Sequence, residues 1–369
     1  MVQYISRKNI ISRENIAYAG MYLTQNPTAF QLLIVVVTAI FLIDVCGHPS
    51  QAYHSFAQQG PPLKIAFVTD AKFNDEGWGA AGYNATQALK SKYGLDLTAS
   101  DGIAIPDIES TLTDYADGGV KLIIAQGFQW GDPVLNVSPQ YPNTKFVVMT
   151  GLVKRSNVAS IFPMQQQGSF LLGALAAMMS KTGVIGFVGG ETYPNIIDIE
   201  EGYKQGARLI NPLVKILDVY LQDFNNPAKG KEAALAQINS GADFLLHVAD
   251  TSGHGVIEAA QERGVYAFGA VADQNKLAPN TVLTSFMIDM DKAYDHIFKS
   301  VRDGSFVGNI TKPGLEIGKG GPGDGIIYLA PFHNLANKVP SAVKARLNQL
   351  TEDIISGRIV VPERTTTTS

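Results

Sequence analysis

The chain has very little cysteine, since Cys46 is the only one among 369 residues. A single thiol forms no disulfide within the chain and is too little for a metal site built from several thiolates. An excess of one charge is also missing, because 29 basic residues are balanced by 33 acidic ones and the formal net charge is -4. Without a basic field, a nucleic-acid partner is not expected.

Apolar sequence, in contrast, is plentiful. Hydrophobic residues make up 46% of the chain, and glycine occurs 36 times. A chain of 369 residues is too long for one compact domain and suits two, each with a core of its own.

The N-terminal part predicts an export or anchoring segment. Residues 1–29 are polar and slightly basic, and residues 30–46 contain an apolar run that ends at Ile43. A membrane-spanning helix needs about 20 apolar residues, so this run is short for one and suits the apolar core of an export signal. We expect either lipid attachment at Cys46 or an uncleaved signal anchor, which would hold the chain on the outer face of the cell membrane. Residues 47–62 are predicted to be a linker.

From residue 63 onward, predicted strands and helices alternate. The predicted strands are 65–69, 122–126, 146–150, 184–188, 244–248 and 266–271, and the predicted helices are 78–92, 108–118, 168–182, 199–210, 228–240 and 255–264. The last three strands repeat the first three at a spacing of about 120 positions, as subtraction of their first residues shows. This pattern predicts an α/β fold of two Rossmann-like lobes, with parallel sheets that meet across a ligand-binding cleft.

A polar loop between the first strand and its helix is the first candidate site. It carries Asp70, Phe73, Asn74 and Asp75, at the carboxyl end of the strand, where open α/β sheets bind their ligands. Phe73 offers a face to a planar ring, while Asn74 and Asp75 offer hydrogen-bonding groups to its edge. The alternative is that Phe73 belongs to the core and that Asp75 caps the following helix.

An ordered set of motifs resembles the basic membrane protein family. The matching segments are 73–75, 168–177, 183–190, 202–207, 225–232, 241–243, 253–256 and 273–274. That family comprises lipoprotein substrate-binding components of ATP-driven importers and includes purine nucleoside receptors. The resemblance covers about residues 63–362 and implies a type I periplasmic-binding-protein fold, with a ligand held between two lobes that three hinge crossovers join.

The chain is expected to divide between the lobes as follows. The N-terminal lobe takes residues 63–162 with about 283–305, and the C-terminal lobe takes residues 163–282 with about 306–335. Residues 336–362 are expected to form a C-terminal helical segment, followed by a polar tail at 363–369.

Loops after the later strands supply further candidate ligand contacts, several of them implied by the resemblance. They are Phe128, Asp132, Thr192, Phe224, Asp250 and Asp273. In the family, the segment around Phe224 tends to hold a second ring, so that Phe73 and Phe224 would sandwich a purine or a similar flat heterocycle.

Two positions depart from the family pattern. Val271 stands where the family has a carboxylate, and Ile288 lies in the segment where the family has a lysine. The resemblance associates both groups with ribose hydroxyls, and losing two charged hydrogen bonds removes about 1.5–3 kcal/mol each. Asp250 is the candidate to compensate, and a nucleobase or another flat ligand stays open beside a nucleoside.

Other site chemistries are weaker. Residues 253–258 begin like a dinucleotide fingerprint but place Glu258 where a small residue is needed, so no cofactor is expected and a Rossmann-like enzyme is the less favoured alternative. His247 and His254 flank Asp250, but no third ligand follows at helical or hairpin spacing. Structural histidines are therefore expected rather than a metal site.

The sequence thus predicts an extracytoplasmic solute-binding protein that captures a small flat polar ligand. Its partners would be the permease and ATPase subunits of an ABC-type importer, and its anchor would bind the membrane. A ligand-sensing ectodomain that reports to a signalling partner would have the same cleft and remains the alternative.

Overall fold

The computed structural model describes residues 62–315 and 325–364. The predicted anchor segment 30–46 with Cys46, the linker as far as residue 61 and the last five residues of the predicted tail lie outside the described residues. Within the described ranges, no helix combines the length and the apolar character needed to cross a lipid bilayer.

Strands and helices alternate along the described chain as predicted. The strands are β1 (Lys64–Thr69), β2 (Asp96–Ser100), β3 (Leu122–Gln126), β4 (Lys145–Met149), β5 (Val158–Ile161), β6 (Val184–Gly189), β7 (Lys215–Tyr220), β8 (Phe244–Val248), β9 (Tyr266–Val271), β10 (Val282–Ile288), β11 (Ile310–Thr311) and β12 (Ile327–Leu329). The helices are α1 (Trp78–Tyr93), α2 (Ile108–Asp117), α3 (Gly131–Val137), α4 (Gln165–Met179), α5 (Pro194–Ile210), α6 (Pro227–Asn239), α7 (Asp250–Arg263), α8 (Met290–Arg302) and α9 (Ser341–Ile355).

In the described part of the chain these strands form two sheets with corresponding orders. The first sheet runs β11-β5-β4-β3-β1-β2 and the second runs β12-β10-β9-β8-β6-β7. Neighbouring strands are parallel, except that β12 pairs with β10 in the antiparallel direction. The predicted α/β fold of two lobes with parallel sheets is therefore confirmed.

The central strands are apolar because helices cover both faces of each sheet. All five residues of β3 and all five of β8 are buried, and β1 is buried from Ile65 onward. The edge strands β2 and β7 contain no buried residue. A parallel sheet covered on both faces accounts for this contrast.

Two glycines allow the helices α4 and α5 to pack closely. A Cβ atom at Gly173 of α4 would lie 2.0 Å from the carbonyl oxygen of Tyr203 in α5. A Cβ atom at Gly206 of α5 would lie 1.9 Å from the carbonyl oxygen of Phe170 in α4. Side chains at these positions would separate the helices, so part of the glycine pattern in segments 168–177 and 202–207 serves packing.

The last strands correct the expected lobe boundaries. Residues 283–305 were expected in the N-terminal lobe. β10 instead lies in the second sheet, because it pairs with β9 along its length. The chain crosses after that strand, at Asp289, and α8 then packs on α1 of the N-terminal lobe. β11 extends the first sheet beside β5, although residues 306–335 were expected in the C-terminal lobe.

Three helices begin earlier than their apolar spacing predicts. α4 begins at Gln165 rather than Gly168, α5 at Pro194 rather than Ile199, and α7 at Asp250 rather than Gly255. Pro194 has a backbone suited to the first turn of a helix. Each early start brings a polar first turn to the carboxyl ends of the strands, where the cleft lies.

Candidate functional site

A cleft lies at the carboxyl ends of the strands of both sheets. The first lobe contributes Asp70, Trp78, Gly127, Phe128, Gln129 and Thr150; the start of α4 contributes Gln165; the second lobe contributes Tyr193, Asn195, Ile196, Phe224, Val248, Asp250 and Val271. The space between these residues measures about 480 Å³ with its open mouth, so the lobes leave a slot between them.

Aromatic rings from both lobes form one side of the slot. The ring centroid of Tyr193 lies 6.1 Å from that of Phe128 and 6.1 Å from that of Phe224, with tilts of 32° and 37°. Phe224 lies against Gly190, where a Cβ atom would come within 2.1 Å of its ring. The row of three half-buried rings spans the two lobes and offers faces for a planar group.

Two carboxylates lie in the same slot. The indole Nε1 of Trp130 donates a hydrogen bond to Asp70 Oδ1 at 3.4 Å, and burial raises the pKa of Asp70. Burial and the negative charges of Asp75 and Asp70 raise the pKa of Asp250 well above its usual range. Asp250 starts α7 with φ of +44°, in the left-handed region.

Two buried amide side chains in the cleft are only partly satisfied. Gln165 is 2% exposed and Asn195 is 9% exposed. Gln165 Nε2 and Asn195 Oδ1 have no hydrogen-bond partner in the described structure. A buried polar atom without a partner costs free energy, so these two atoms mark positions where a ligand would be stabilised.

A set of contacts beside the cleft joins the two lobes. His254 Nε2 of α7 donates to the carbonyl oxygen of Asp75 at 2.9 Å, and Gln274 Nε2 donates to that of Glu76 at 3.4 Å. Lys276 Nζ lies 3.7 Å from Glu76 Oε1. We call these contacts the interlobe latch; they fix the loop before α1 against the second lobe.

His247 supports the latch from inside the second lobe. Its Nε2 lies 2.9 Å from Gln274 Oε1, which also accepts the N–H of Ala270 at 3.2 Å. Burial, and next the charge of His254, lower the pKa of His247 to about 4. The described residues contain no group of three or more side chains arranged to hold a metal ion.

Comparisons with known proteins agree with this geometry. The Bmp family model, described as an ABC transporter substrate-binding protein of PnrA-like type, matches residues 63–365. The chain belongs to this family. Its resemblance to basic membrane proteins is thereby confirmed.

Three proteins illustrate the range of similarity to this chain. A purine-binding protein of Brucella abortus is 26% identical over 330 residues, which covers 89% of this chain and 88% of that protein. The transcriptional activator protein Med of Bacillus subtilis is 28% identical over 277 residues, with 75% and 84% covered. The crystal structure of an ABC transporter solute-binding protein from Aeropyrum pernix aligns with a TM-score of 0.73 at 23% identity, over 82% of this chain and 94% of that one. Family and fold are those of solute-binding proteins.

In this Bmp cleft, four of the predicted contact residues come together. They are Asp70, Phe128, Phe224 and Asp250. They come from both lobes and follow four different strands, of which β7, before Phe224, was not predicted from the sequence.

The predicted first loop is used differently. Phe73 does not line the cleft, because its ring stacks on Tyr83 at a centroid distance of 4.1 Å and also contacts Phe67. The carboxylate of Asp75 accepts the N–H groups of Gly77, Gly79 and Ala80 at 2.7–3.0 Å. The core and capping interpretations of these two residues therefore fit the structure.

Four other candidates also lie outside the cleft lining. Asn74, Asp132 and Thr192 are exposed, so their side chains are solvated. Asp273 lies 2.6 Å from His333 Nε2 and accepts the N–H of Asn275, which engages its carboxylate away from the slot.

Several lining residues were not selected from the sequence, among them Trp78, Gln165, Tyr193 and Asn195. Tyr193 and Asn195 follow the same predicted strand, 184–188, as Thr192, which was selected. The sequence therefore identified this segment but not the side chains in it that line the cleft. Gln165 lies in a run of three glutamines before the apolar part of α4. Nothing in that run distinguishes the glutamine that reaches the cleft.

Proposed function

We propose that the chain is an extracytoplasmic solute-binding protein of an ABC-type importer and that it captures a small flat polar ligand between its lobes. The observation that carries the proposal is the slot itself, with three aromatic rings drawn from both lobes. Membership of a substrate-binding family and a purine-binding relative support it.

A planar heterocycle fits this slot better than a sugar or an aliphatic amino acid. Phe128, Tyr193 and Phe224 are half-buried and offer adjacent ring faces. Stacking of a base on an aromatic side chain contributes about 1–3 kcal/mol. The polar atoms of Gln165 and Asn195 would then bind the edge of the ring.

The structure favours recognition of the base over recognition of a ribose. Val271 lines the cleft with an isopropyl group where the family pattern has a carboxylate. Ile288 is buried at the end of β10 and is not among the lining residues. These two positions therefore offer no charged group to sugar hydroxyls, and a nucleobase-like ligand is proposed ahead of a nucleoside.

Closure of the lobes would be the binding step. The interlobe latch holds the loop around Asp75 and Glu76 against the second lobe. A ligand that contacts both lobes favours the closed state only by its higher affinity for that state. The closed protein would then dock on a permease driven by an ATPase, and the predicted anchor at 30–46 would keep it at the outer face of the membrane.

The test is a thermal-shift screen of the full-length chain against nucleobases, nucleosides, sugars and amino acids. A ligand that binds only the folded state stabilises it by about 2.7 kcal/mol at a hundredfold excess over its dissociation constant. Stabilisation by purine or pyrimidine bases, lost in Phe224→Ala, is the expected result. Stabilisation by sugars or aliphatic amino acids alone would contradict the proposal.

Ligand sensing is the second candidate, because one relative is named a transcriptional activator. Uptake of the labelled ligand separates the two functions. Cells that lack the chain should take up less ligand if it serves an importer. Unchanged uptake, combined with a changed transcriptional response to the ligand, would favour sensing.

A further inference from the structure

The charged side chains that line the cleft are both acidic. Asp70 and Asp250 both line it, and none of the described lining residues is lysine, arginine or histidine. Asp70 accepts a hydrogen bond from the neutral indole of Trp130. The slot therefore holds two carboxylates without a basic partner from its own lining, whereas buried charges in proteins are normally paired.

Electron-rich rings surround the same space. Trp78, Phe128, Tyr193 and Phe224 line the cleft together with the two carboxylates. The faces of such rings attract cations, with tryptophan the strongest and tyrosine and phenylalanine following. Aromatic faces and unpaired carboxylates both favour positive charge in the slot.

The two unsatisfied amides give a second, independent indication of a ligand. Gln165 Nε2 is a buried donor without an acceptor, and Asn195 Oδ1 is a buried acceptor without a donor. A simple metal or ammonium ion would satisfy Asn195 Oδ1, but it would leave Gln165 Nε2 without an acceptor. A ligand that pairs both must carry a hydrogen-bond acceptor and a hydrogen-bond donor.

We infer that the ligand of this cleft is a flat ring that bears a positive charge, together with an acceptor for Gln165 and a donor for Asn195. Asp70 and Asp250 would neutralise the charge, and the aromatic rings would stack on the ring face. This inference rests on the proposed function and narrows its ligand class. A quaternised nucleobase or a pyridinium carboxamide has the required chemistry, whereas a neutral base leaves both carboxylates uncompensated.

The pKa values of the two acids agree with this geometry. Burial raises the pKa of Asp70, and burial with the charges of Asp75 and Asp70 raises that of Asp250. Both directions show that burial in the slot disfavours the charged form of these two acids. A bound cation would lower both pKa values and would release protons if either acid were protonated beforehand.

Titration calorimetry on the full-length chain tests the inference with two matched pairs of probes near neutral pH. The first pair is 1-methylnicotinamide, a permanent cation, and neutral nicotinamide. The second is 1-methyladenosine, which is cationic, and its neutral isomer N6-methyladenosine. We expect each cation to bind about tenfold or more tightly than its neutral partner.

Charge-removing variants show whether the two carboxylates cause the preference. Asp70→Asn and Asp250→Asn should each reduce the ratio of cation to neutral affinity at least severalfold. Asparagine tolerates the left-handed backbone at position 250, so the fold is expected to survive. Asp132→Asn, which removes an exposed carboxylate outside the cleft, should leave the ratio unchanged.

The outcomes separate this inference from the proposed function. Equal or tighter binding of the neutral partners would overturn the inference and leave the proposed function standing. If neither these probes nor the bases and nucleosides of the screen bind, both are overturned. The comparison of cationic and neutral probes on the wild-type chain tests the inference even if a variant fails to fold.

Discussion

The two lobes share one strand order but use their corresponding loops differently. In the first lobe, the loop after β1 closes on itself, because Asp75 caps α1 and Phe73 stacks on Tyr83. In the second lobe, the loops after β6 and β7 direct Tyr193 and Phe224 into the cleft. A repeated fold therefore does not imply a repeated site.

The difference assigns separate tasks to the lobes. The first lobe supplies the capped loop to which the latch attaches, along with Asp70 and Phe128. The second lobe supplies the latch side chains and most of the lining that sequence analysis missed. Variants in the loop from Phe73 to Asp75 should therefore affect stability, whereas variants at Tyr193 and Phe224 should affect binding.

The largest effect is expected at Asp75. Asp75→Ala removes a buried carboxylate that accepts three backbone N–H groups, and hydrogen bonds to charged groups contribute about 1.5–3 kcal/mol each. We expect the free energy of unfolding to fall by about 3 kcal/mol or more. Urea denaturation of the full-length chain measures this change.

Asp132→Ala is the matched control, because Asp132 lies in the first turn of α3 but is exposed. It should change the free energy of unfolding by less than about 0.5 kcal/mol. If Asp75→Ala kept its stability but lost ligand binding, Asp75 would be a ligand contact and the two lobes would use their first loops alike.

The second effect is a pH dependence of the free energy of unfolding, and it comes from a residue of the second lobe. His247 of β8 corresponds to Ala125 of β3, and burial lowers the pKa of His247 in the fold from the ordinary 6.5 to about 4. Because the folded pKa is lowered, the unfolded state binds the proton first, and stability falls as pH drops below about 6.5. The loss at about pH 5 should be about 2 kcal/mol.

Unfolding at a series of pH values measures this slope in the wild type and in His247→Gln. The glutamine keeps a donor for Gln274 but does not titrate, so the contribution of His247 should disappear. His296→Gln, at an exposed histidine of α8, should keep it. An unchanged slope in His247→Gln would assign the acid sensitivity to other groups.

The sequence predicted the scaffold more completely than it predicted the site. Apolar runs such as Ile65–Val68 predicted the central strands because burial on both faces leaves a continuous pattern. The sequence also located Asp70 and Phe128, which follow such strands, whereas Phe224 was located through the family resemblance and follows the edge strand β7. It did not distinguish cleft residues from capping residues, because Asp75 precedes one helix and Asp250 begins another, and only the backbone decides which carboxylate lines the cleft.

A third effect distinguishes the aromatic residues of the two lobes. Phe224→Ala should weaken ligand binding by about 1–3 kcal/mol, since its ring lines the cleft. Phe73→Ala should leave affinity nearly unchanged while lowering stability, because its ring packs on Tyr83 and Phe67. Calorimetry with a ligand from the screen, paired with thermal unfolding, separates these effects. Equal losses of affinity would restore the predicted Phe73 and Phe224 sandwich.

The smallest effect is expected where the lobes are most alike. Thr150 follows β4 and Val271 ends β9, and they have φ of +63° and +68° beside the cleft. A left-handed backbone is unfavourable for a β-branched residue by about 1 kcal/mol or more, and asparagine tolerates it better. Val271→Asn should therefore raise the free energy of unfolding by about 1 kcal/mol. Thr150→Asn should raise it less, because Thr150 Oγ1 donates to the carbonyl oxygen of Met149 at 2.6 Å and that bond is lost.

Denaturation of both variants tests the pair, and a loss of stability in Val271→Asn would mean that packing of the isopropyl group outweighs the backbone strain. A gain in stability together with weaker ligand binding would show that Val271 contributes to ligand binding and lowers the stability of the fold.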